Sequence, residues 1–281
     1  MKITKMHGAG NDFILINNLI EQLPADDLAD FARQLCHRRL SVGADGLILA
    51  DRPKHYGDIQ MVFYNADGSK GEMCGNGARC LARFAYEQGL SPAQMELETL
   101  AGSVLAERIT QEAYRVRLPN PSLIEPIRLS LDDCLIKGYY VELGQPGVPH
   151  LCVELPELDT ISEETLFQLG RKLRYHPVLS KGANVNFYQQ LSTGHFLERT
   201  YERGVEDFTM ACGTGSASVA LAVQTIDPTL RSQSIRLSVP GGEILIDNQW
   251  DNDLIRSVDL TGPTTIVFEG TLHNHQYLEE K

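Results

Sequence analysis

The sequence has no apolar run that approaches the length of a membrane span. Its 281 residues hold no Cys-x-x-Cys, which excludes a thioredoxin-type motif and a zinc ribbon, so no metal is expected. Basic residues are few: 25 Lys and Arg stand against 37 Asp and Glu, a net charge of −12. A nucleic-acid footprint needs a basic face, so no nucleic-acid partner is expected. No secretion leader is expected either. Residues 1–17 carry Lys2, Lys5 and Asp12 around a short apolar patch at 13–16, which reads as a first strand. The chain therefore reads as cytoplasmic, with no membrane partner.

What is present is ordinary for a soluble globular protein. Hydrophobic residues make up 42% and charged residues 22%, which excludes disordered and low-complexity classes. The length suits two domains of roughly 100–200 residues each. Six cysteines, at 36, 74, 80, 134, 152 and 212, are not expected to form a disulfide framework in a chain that reads as cytoplasmic. Cys36, Cys80, Cys134 and Cys152 are expected to be small buried hydrophobes. Cys74 and Cys212 are different, because they recur within a repeat.

Met73-Cys74-Gly75-Asn76-Gly77 precedes a helical run to Gln88, and Ala211-Cys212-Gly213-Thr214-Gly215 precedes another to Gln224. The offset is 138 residues, about half the chain. At that offset Phe63-Tyr64-Asn65 falls on Tyr201-Glu202-Arg203, and Asn11-Asp12-Phe13 on Pro149-His150-Leu151. Ordered matches at one offset indicate duplication. Two pseudo-symmetric domains are expected, divided at Leu118-Pro119-Asn120-Pro121, where two prolines interrupt structure. The first comprises residues 1–119 with 264–281, and the second residues 120–263.

Alternation and turn signals place first-half strands at 3–6, 13–17, 47–49, 59–64, 95–99, 104–109 and 114–118. Second-half strands fall at 138–143, 150–154, 184–188, 196–202, 234–238, 243–246 and 254–260. A last strand at 264–269 returns to the first domain. Helices are expected at 25–38, 76–88, 163–175 and 216–224. The helix after Cys212 is apolar nearly all round, so it should be buried inside its own sheet.

Both cysteines stand before a helix in a glycine-rich turn. Glycine permits close approach and positive φ. The helix start offers unpaired N–H groups and the positive dipole end, which hold a carboxylate. The same field lowers a thiol's pKa toward the thiolate. Pseudo-symmetry is expected to set the two thiols across a cleft from each other, a common place for small-molecule sites. A thiolate on one face of a carbon and a thiol on the other is the geometry that inverts a stereocentre. The enolate-like carbanion would be stabilised by the helix starts. Such a reaction needs no pyridoxal phosphate or other cofactor.

Other residues are less specific alone. His150 reads equally as a buried structural group or as a catalyst. Glu202-Arg203 reads as a solvated pair, or with Arg203 gripping a second carboxylate bidentately. Asn11, Asn65, Asn76 and Asn184 have turn or strand-end settings, where asparagine is most often a turn former.

Five segments together resemble the diaminopimelate epimerase family: His7-Gly8-Ala9-Gly10-Asn11-Asp12-Phe13, Tyr64-Asn65-Ala66-Asp67-Gly68, Cys74-Gly75-Asn76-Gly77-Ala78-Arg79-Cys80, Tyr201-Glu202-Arg203-Gly204 and Ala211-Cys212-Gly213-Thr214-Gly215. The matches run from residue 3 to about residue 262 in family order. The resemblance implies a cofactor-independent epimerase interconverting LL- and meso-diaminopimelate, a step of lysine and peptidoglycan precursor synthesis. It implies two mixed α/β (α+β) domains, each a barrel-like antiparallel sheet around a central helix, and a homodimer. It implies that Cys74 and Cys212 are the acid–base pair and that His150 and Glu202 help set their protonation. Gly75 and Asn76, with Gly213 and Thr214, would supply backbone donors to the reacting-centre carboxylate. Asn11, Asn65, Asn184 and Arg203 would hold the substrate, with Glu202 beside them and Arg203 on the distal carboxylate. Two departures bear on specificity. Val148 stands where some members have asparagine before Pro-His, and Gly46 where some have glutamine.

Rival readings remain. One is a racemase of another amino acid on the same fold. A second is a cysteine hydrolase or acyltransferase with Cys74 as nucleophile and His150 as base, which leaves Cys212 unused. A thiol redox protein, its two cysteines forming a disulfide across the cleft, is a further alternative, but the sequence lacks a redox motif; a non-catalytic binding module would not need both cysteines.

Overall fold

The computed structural model describes residues 1–132 and 134–272. The chain divides into two compact units, Met1–Val116 with Gly262–Lys281, and Arg117–Thr261. Residues 273–281 of the sequence-based first domain lie outside the described residues.

The elements run β1 (Lys2–Gly8), β2 (Asn11–Asn17), α1 (Asn18–Glu21), α2 (Leu28–Leu35), β3 (Gly46–Asp51), β4 (Ile59–Asn65), β5 (Lys70–Gly71), α3 (Gly75–Glu87), β6 (Gln94–Thr99), β7 (Gly102–Arg108), β8 (Ala113–Leu118), β9 (Pro121–Leu131), β10 (Cys134–Leu143), β11 (Val148–Glu154), α4 (Glu163–Arg174), β12 (Asn184–Ser192), β13 (His195–Glu202), β14 (Asp207–Phe208), α5 (Gly213–Ile226), β15 (Ile235–Val239), β16 (Gly242–Asp251), β17 (Leu254–Pro263) and β18 (Thr265–Thr271). Short 3-10 turns lie at Ala25–Asp27 and Pro228–Ser232.

The two units are built on one plan. In the first, β1–β2 and β3–β4 pair antiparallel, whereas β2–β3 and β4–β6 pair parallel. In the second, β10–β11 and β12–β13 pair antiparallel, whereas β11–β12 and β13–β15 pair parallel. The sheets are thus mainly antiparallel, as expected, with two parallel steps in each unit. Their cause is the connection: a parallel step needs a crossover of a dozen or more residues. The segments carrying α2, α3, α4 and α5 each provide one.

Period-two alternation then sorts the strands' side chains. In β2 and β3, Ile14, Ile16, Leu47 and Leu49 pack with Leu28, Phe31 and Leu35 of α2. Phe13 and Ile48 face the other way, toward Phe63 and the start of α3. The second unit repeats this, with Leu151, Val153, Val185 and Phe187 packed with Leu166 and Leu173 of α4. The opposite faces enclose α3 and α5. Eleven of the fourteen residues of α5 are buried, as its all-round apolar sequence predicts.

Several expected boundaries change. The first long helix shrinks to a 3-10 turn and α2. It stops because the returning chain takes its last carbonyls, Gly43 N–H bonding Leu35 O at 3.0 Å and Ala44 N–H bonding Cys36 O at 3.1 Å. The prolines at 119–121 do not clear a linker, since Pro121 opens the eleven-residue strand β9, paired along its length with β10. Proline is tolerated where a strand's N–H groups are not needed by a neighbour. Cys134 is exposed at the start of β10, against the expectation of burial.

The glycines after each cysteine have a different purpose from the one expected. The helices begin at Gly75 and Gly213, so each Gly-x-Gly is a first helical turn and neither is at positive φ. Space is what glycine supplies. A Cβ on Gly77 would sit 2.8 Å from Ile48 Cδ1, and one on Gly215 would sit 2.3 Å from Asn186 Oδ1 and 3.2 Å from Cys212 Cβ. Gly215→Ala should therefore destabilise the chain by about 1–3 kcal/mol through overpacking. Urea unfolding checks this, and an unchanged midpoint would contradict it.

Candidate active site

Each cysteine is the N-cap of its helix, with extended backbone: φ −138° and ψ 121° at Cys74, φ −118° and ψ 106° at Cys212. The first intrahelical bonds run from Ala78 N–H to Cys74 O at 2.7 Å and from Ser216 N–H to Cys212 O at 2.9 Å. The N–H groups of Gly75 and Asn76, and of Gly213 and Thr214, therefore have no acceptor within their own helix. A sulfur and a pair of helix-start donors thus stand together in each unit.

Around Cys74 the setting is polar and cationic. Cys74 Sγ lies 3.5 Å from Asn11 Oδ1, which also accepts from Asn76 Nδ2 at 3.3 Å. Asn11 Nδ2 donates to Asp45 at 2.7 Å. Arg38 bonds both Asp12 and Asp45 at 2.7 Å, and Lys5 bonds Asp12 at 2.6 Å. Burial opposes ionisation of Asp12, but the Arg38 and Lys5 cations hold its carboxyl well below the usual range. Asn11 is thereby oriented by a fixed charge network. Asn65 ends β4, and its Nδ2 bonds Ser69 Oγ at 3.0 Å across a tight turn. Gly46 cannot be glutamine on this backbone, since a Cβ there would lie 2.6 Å from Phe63 and 2.8 Å from Tyr64 O.

Around Cys212 the setting is buried and carboxylate-rich. Cys212 Sγ lies 3.6 Å from Thr214 Oγ1. Burial pushes its thiol well above the ordinary value, and the charge of Glu202 adds to this. The Thr214 hydroxyl and Gly215 N–H pull the other way and do not prevail. This corrects the expectation that each helix start makes a thiolate: in the second unit desolvation wins, and Cys212 keeps its proton at neutral pH.

His150 is fully buried, and that burial lowers its pKa to about 3, so the ring is neutral. It sits in a row of polar residues that the sequence reading missed: Asn186, Thr200, Glu198 and Ser216. Thr200 Oγ1 donates to Asn186 Oδ1 at 3.0 Å, so the amide's N–H side faces His150 Nδ1, at 3.2 Å. His150 Nδ1 therefore accepts and Nε2 carries the hydrogen. That Nε2 is buried and has no partner among the described residues. Glu198 closes the row, with Oε1 3.3 Å from Thr200 and Oε2 accepting from Ser216 at 2.6 Å. Burial pushes the Glu198 carboxyl up to about 7, against the hydrogen bonds from Ser216 and Thr200. A sequence signal did exist. Asn184, Asn186, Glu198, Thr200 and Glu202 occupy alternate positions of strands whose other face carries Val185, Phe187, Leu197 and Tyr201, so all point toward α5.

The remaining candidates are placed by the same strands. Asn184 Oδ1 accepts from Arg203 N–H at 2.8 Å, which fixes the chain where β13 ends. Arg203 is exposed, with Nη1 3.0 Å from Lys181 O. Glu202 is half-buried. Val148 is also partly exposed, two residues before His150.

Comparison with known proteins fits this construction. Solved structures of similar fold include a probable proline racemase from Agrobacterium radiobacter K84 (17% identity, TM-score 0.70, 96% of this chain and 92% of that one covered). A hydroxyproline epimerase from Agrobacterium vitis has 14% identity and a TM-score of 0.71, with 96% and 91% covered. The chain thus has the mixed α+β fold of a group that includes racemases and epimerases. Its sequence is more specific than its fold. The sequence model of diaminopimelate epimerase matches residues 3–123 and 144–267. The diaminopimelate epimerases of Hydrogenobaculum sp. (strain Y04AAS1) and Aquifex aeolicus (strain VF5) are 41% and 38% identical, each over 97% of this chain and 98% of its relative. The chain belongs to the diaminopimelate epimerase family.

Glu198 makes stability depend on pH. Its folded pKa, about 7, is above its ordinary value of 4.5, so its contribution is full below about pH 4.5 and is lost as pH rises through 7. Glu198→Gln keeps the shape and a donor but cannot ionise. It should match the wild type in melts near pH 4 and exceed it near pH 8, by an amount of order 2–4 kcal/mol. Equal melts at both pH values would contradict the assignment.

Proposed function

We propose that the chain interconverts LL- and meso-diaminopimelate, with Cys74 and Cys212 as the acid–base pair. The observation that carries this is the recurrence, in two units of one plan, of a cysteine capping a buried helix beside N–H donors that have no acceptor within the helix. Inversion at an α-carbon needs one proton-transfer group on each face, and the chain has one such thiol in each unit. A thiolate takes the α-hydrogen: the C–H bond breaks, the S–H bond forms, and the electron pair moves into the substrate carboxylate. The other thiol then gives its proton to the opposite face, leaving the pair with their protonation exchanged. Helix-start N–H groups, from Gly75 and Asn76 and from Gly213 and Thr214, stabilise the enolate-like charge because they are already oriented.

Cys212, which retains its proton, enters as the acid for one isomer and leaves as the base for the other. Glu202 raises that thiol's proton affinity, and the partnerless His150 Nε2–H is a donor for the substrate. Asn11, Asn65, Asn76 and Asn184 hold the substrate's polar groups, and the exposed fork of Arg203 pairs with the distal carboxylate. The working form is a cytoplasmic homodimer, as the family resemblance implies. Light scattering of the purified chain tests the dimer.

Proton NMR of LL-diaminopimelate with the purified chain, in reducing deuterated buffer without added cofactor, tests the reaction. The meso isomer should accumulate with deuterium at the inverted α-carbon. Folded, reduced protein that yields neither would exclude this substrate. Cys74→Ser and Cys212→Ser should each lower inversion by several orders of magnitude, because a serine hydroxyl is far too weak an acid. Wild-type turnover in either variant would exclude the two-thiol mechanism. Arg203→Met should raise KM for diaminopimelate by about 10–100-fold, the loss of a charge-assisted pair. It should leave exchange of a substrate without the distal carboxylate unchanged, and equal losses on both would remove that assignment.

A further inference from the structure

Among the described residues, the largest side chain with no exposed surface is a cation, Arg79. It belongs to the second turn of α3 but folds back toward the helix start. Its Nη2 bonds Asn76 Oδ1 at 2.8 Å, and its Nη1 lies 3.5 Å from Gly75 O. Among the described residues its Nε has no acceptor and no carboxylate pairs with it. Two glycines make room for it. A Cβ on Gly262 would lie 3.1 Å from the guanidinium carbon, and one on Gly8 would lie 3.4 Å from Nη2.

This placement is unfavourable twice over. A buried charge without a counter-ion is destabilising. A positive charge at a helix N-terminus also opposes the dipole. The fold does not demand it, since the second unit builds the same cysteine-capped start with Ala217, five residues after Cys212, where the first has Arg79. The missing anion is therefore one that the site acquires while working.

We propose that Arg79 is a positioning residue of the Cys74 half-site: it holds the Asn76 amide toward Asn11 and supplies the charge that favours an anion at the start of α3, either the Cys74 thiolate or an arriving carboxylate. The proposal rests on Cys74 being a working acid–base group. The titratable groups whose charge reaches Arg79 are Cys80, next to it on α3, and Cys74, the N-cap of α3. Burial pushes the Cys80 thiol up to about 12, so Cys80 stays neutral. The strands and the segment packed around the guanidinium contribute Gly8 and Gly262, and Asn11 reaches it through Asn76; none of these carries charge.

Alkylation of Cys74 by iodoacetamide from pH 6 to 10, read by peptide mass spectrometry, tests this without relying on turnover. Exposed Cys134 is the internal reference. In Arg79→Met the Cys74 midpoint should rise by about one pH unit or more, which slows alkylation at pH 7 roughly 10-fold. Arg79→Lys keeps the charge but not the fork. It should keep the midpoint near that of the wild type while raising KM for diaminopimelate several-fold. Arg79→Gln, neutral but still a donor, replaces the methionine variant if that one fails to melt cooperatively, and the same rise is expected. An unchanged midpoint in a folded neutral variant overturns the proposal, as does a lysine variant displaced as far as the neutral one. Turnover surviving in Cys74→Ser would instead remove the acid–base reading of Cys74 and leave the alkylation result standing.

Discussion

A cysteine capping a helix that is buried from its first turn is the constraint on which both units depend. Burial of a helix start leaves N–H groups that cannot turn to bulk water, so the start must be faced by acceptors, by sulfur or by an incoming anion. The crossover connections bring the helix inside the sheet, and glycines in its first turn let the strands approach. Polar side chains at alternate strand positions then line the space in front of the sulfur. The same steric economy that makes Gly77 and Gly215 necessary for packing also puts a thiol beside a donor pair.

Duplication repeated the scaffold but not the electrostatics. In the first unit a buried guanidinium, with no carboxylate partner among the described residues, stands behind the cysteine, and Asn11 is held by a network of Asp12, Asp45, Arg38 and Lys5. In the second, burial and Glu202 raise the Cys212 thiol, and Glu198 lies near neutrality beneath the first turn of α5. Two identical thiols would share the same proton affinity. A reversible two-base inversion needs one thiol protonated and the other charged at the start, and the surroundings of Cys212 favour its protonated form.

Much of this could be read from the residues. The repeat at 138 residues pointed to Cys74 and Cys212, and the apolar run after Cys212 marked a buried helix. Most strands lay within a few residues of their sequence-based limits. The misses have physical reasons. The strand β9 hid because Pro121 and Pro126 resemble breakers, although a strand can spare those N–H groups. The first helix was drawn too long because its stop comes from Gly43 and Ala44 returning to its end, a tertiary bond with no local signal. The row from Glu198 to His150 was written in alternate polar positions, but its register across three strands is not a local property. Nor does local sequence show that desolvation outweighs the helix dipole at Cys212.

The most direct test of the central claim, that each unit supplies the proton-transfer group for one face of the α-carbon, is the stereochemical course of exchange in the two cysteine variants. Each would be given pure LL- and pure meso-diaminopimelate in deuterated buffer, and α-deuteration with retention would be scored by NMR. The account predicts that neither variant inverts. Whatever slow exchange survives should be confined to one configuration in Cys74→Ser and to the opposite one in Cys212→Ser. Inversion in either variant, or exchange of the same configuration by both, would contradict it.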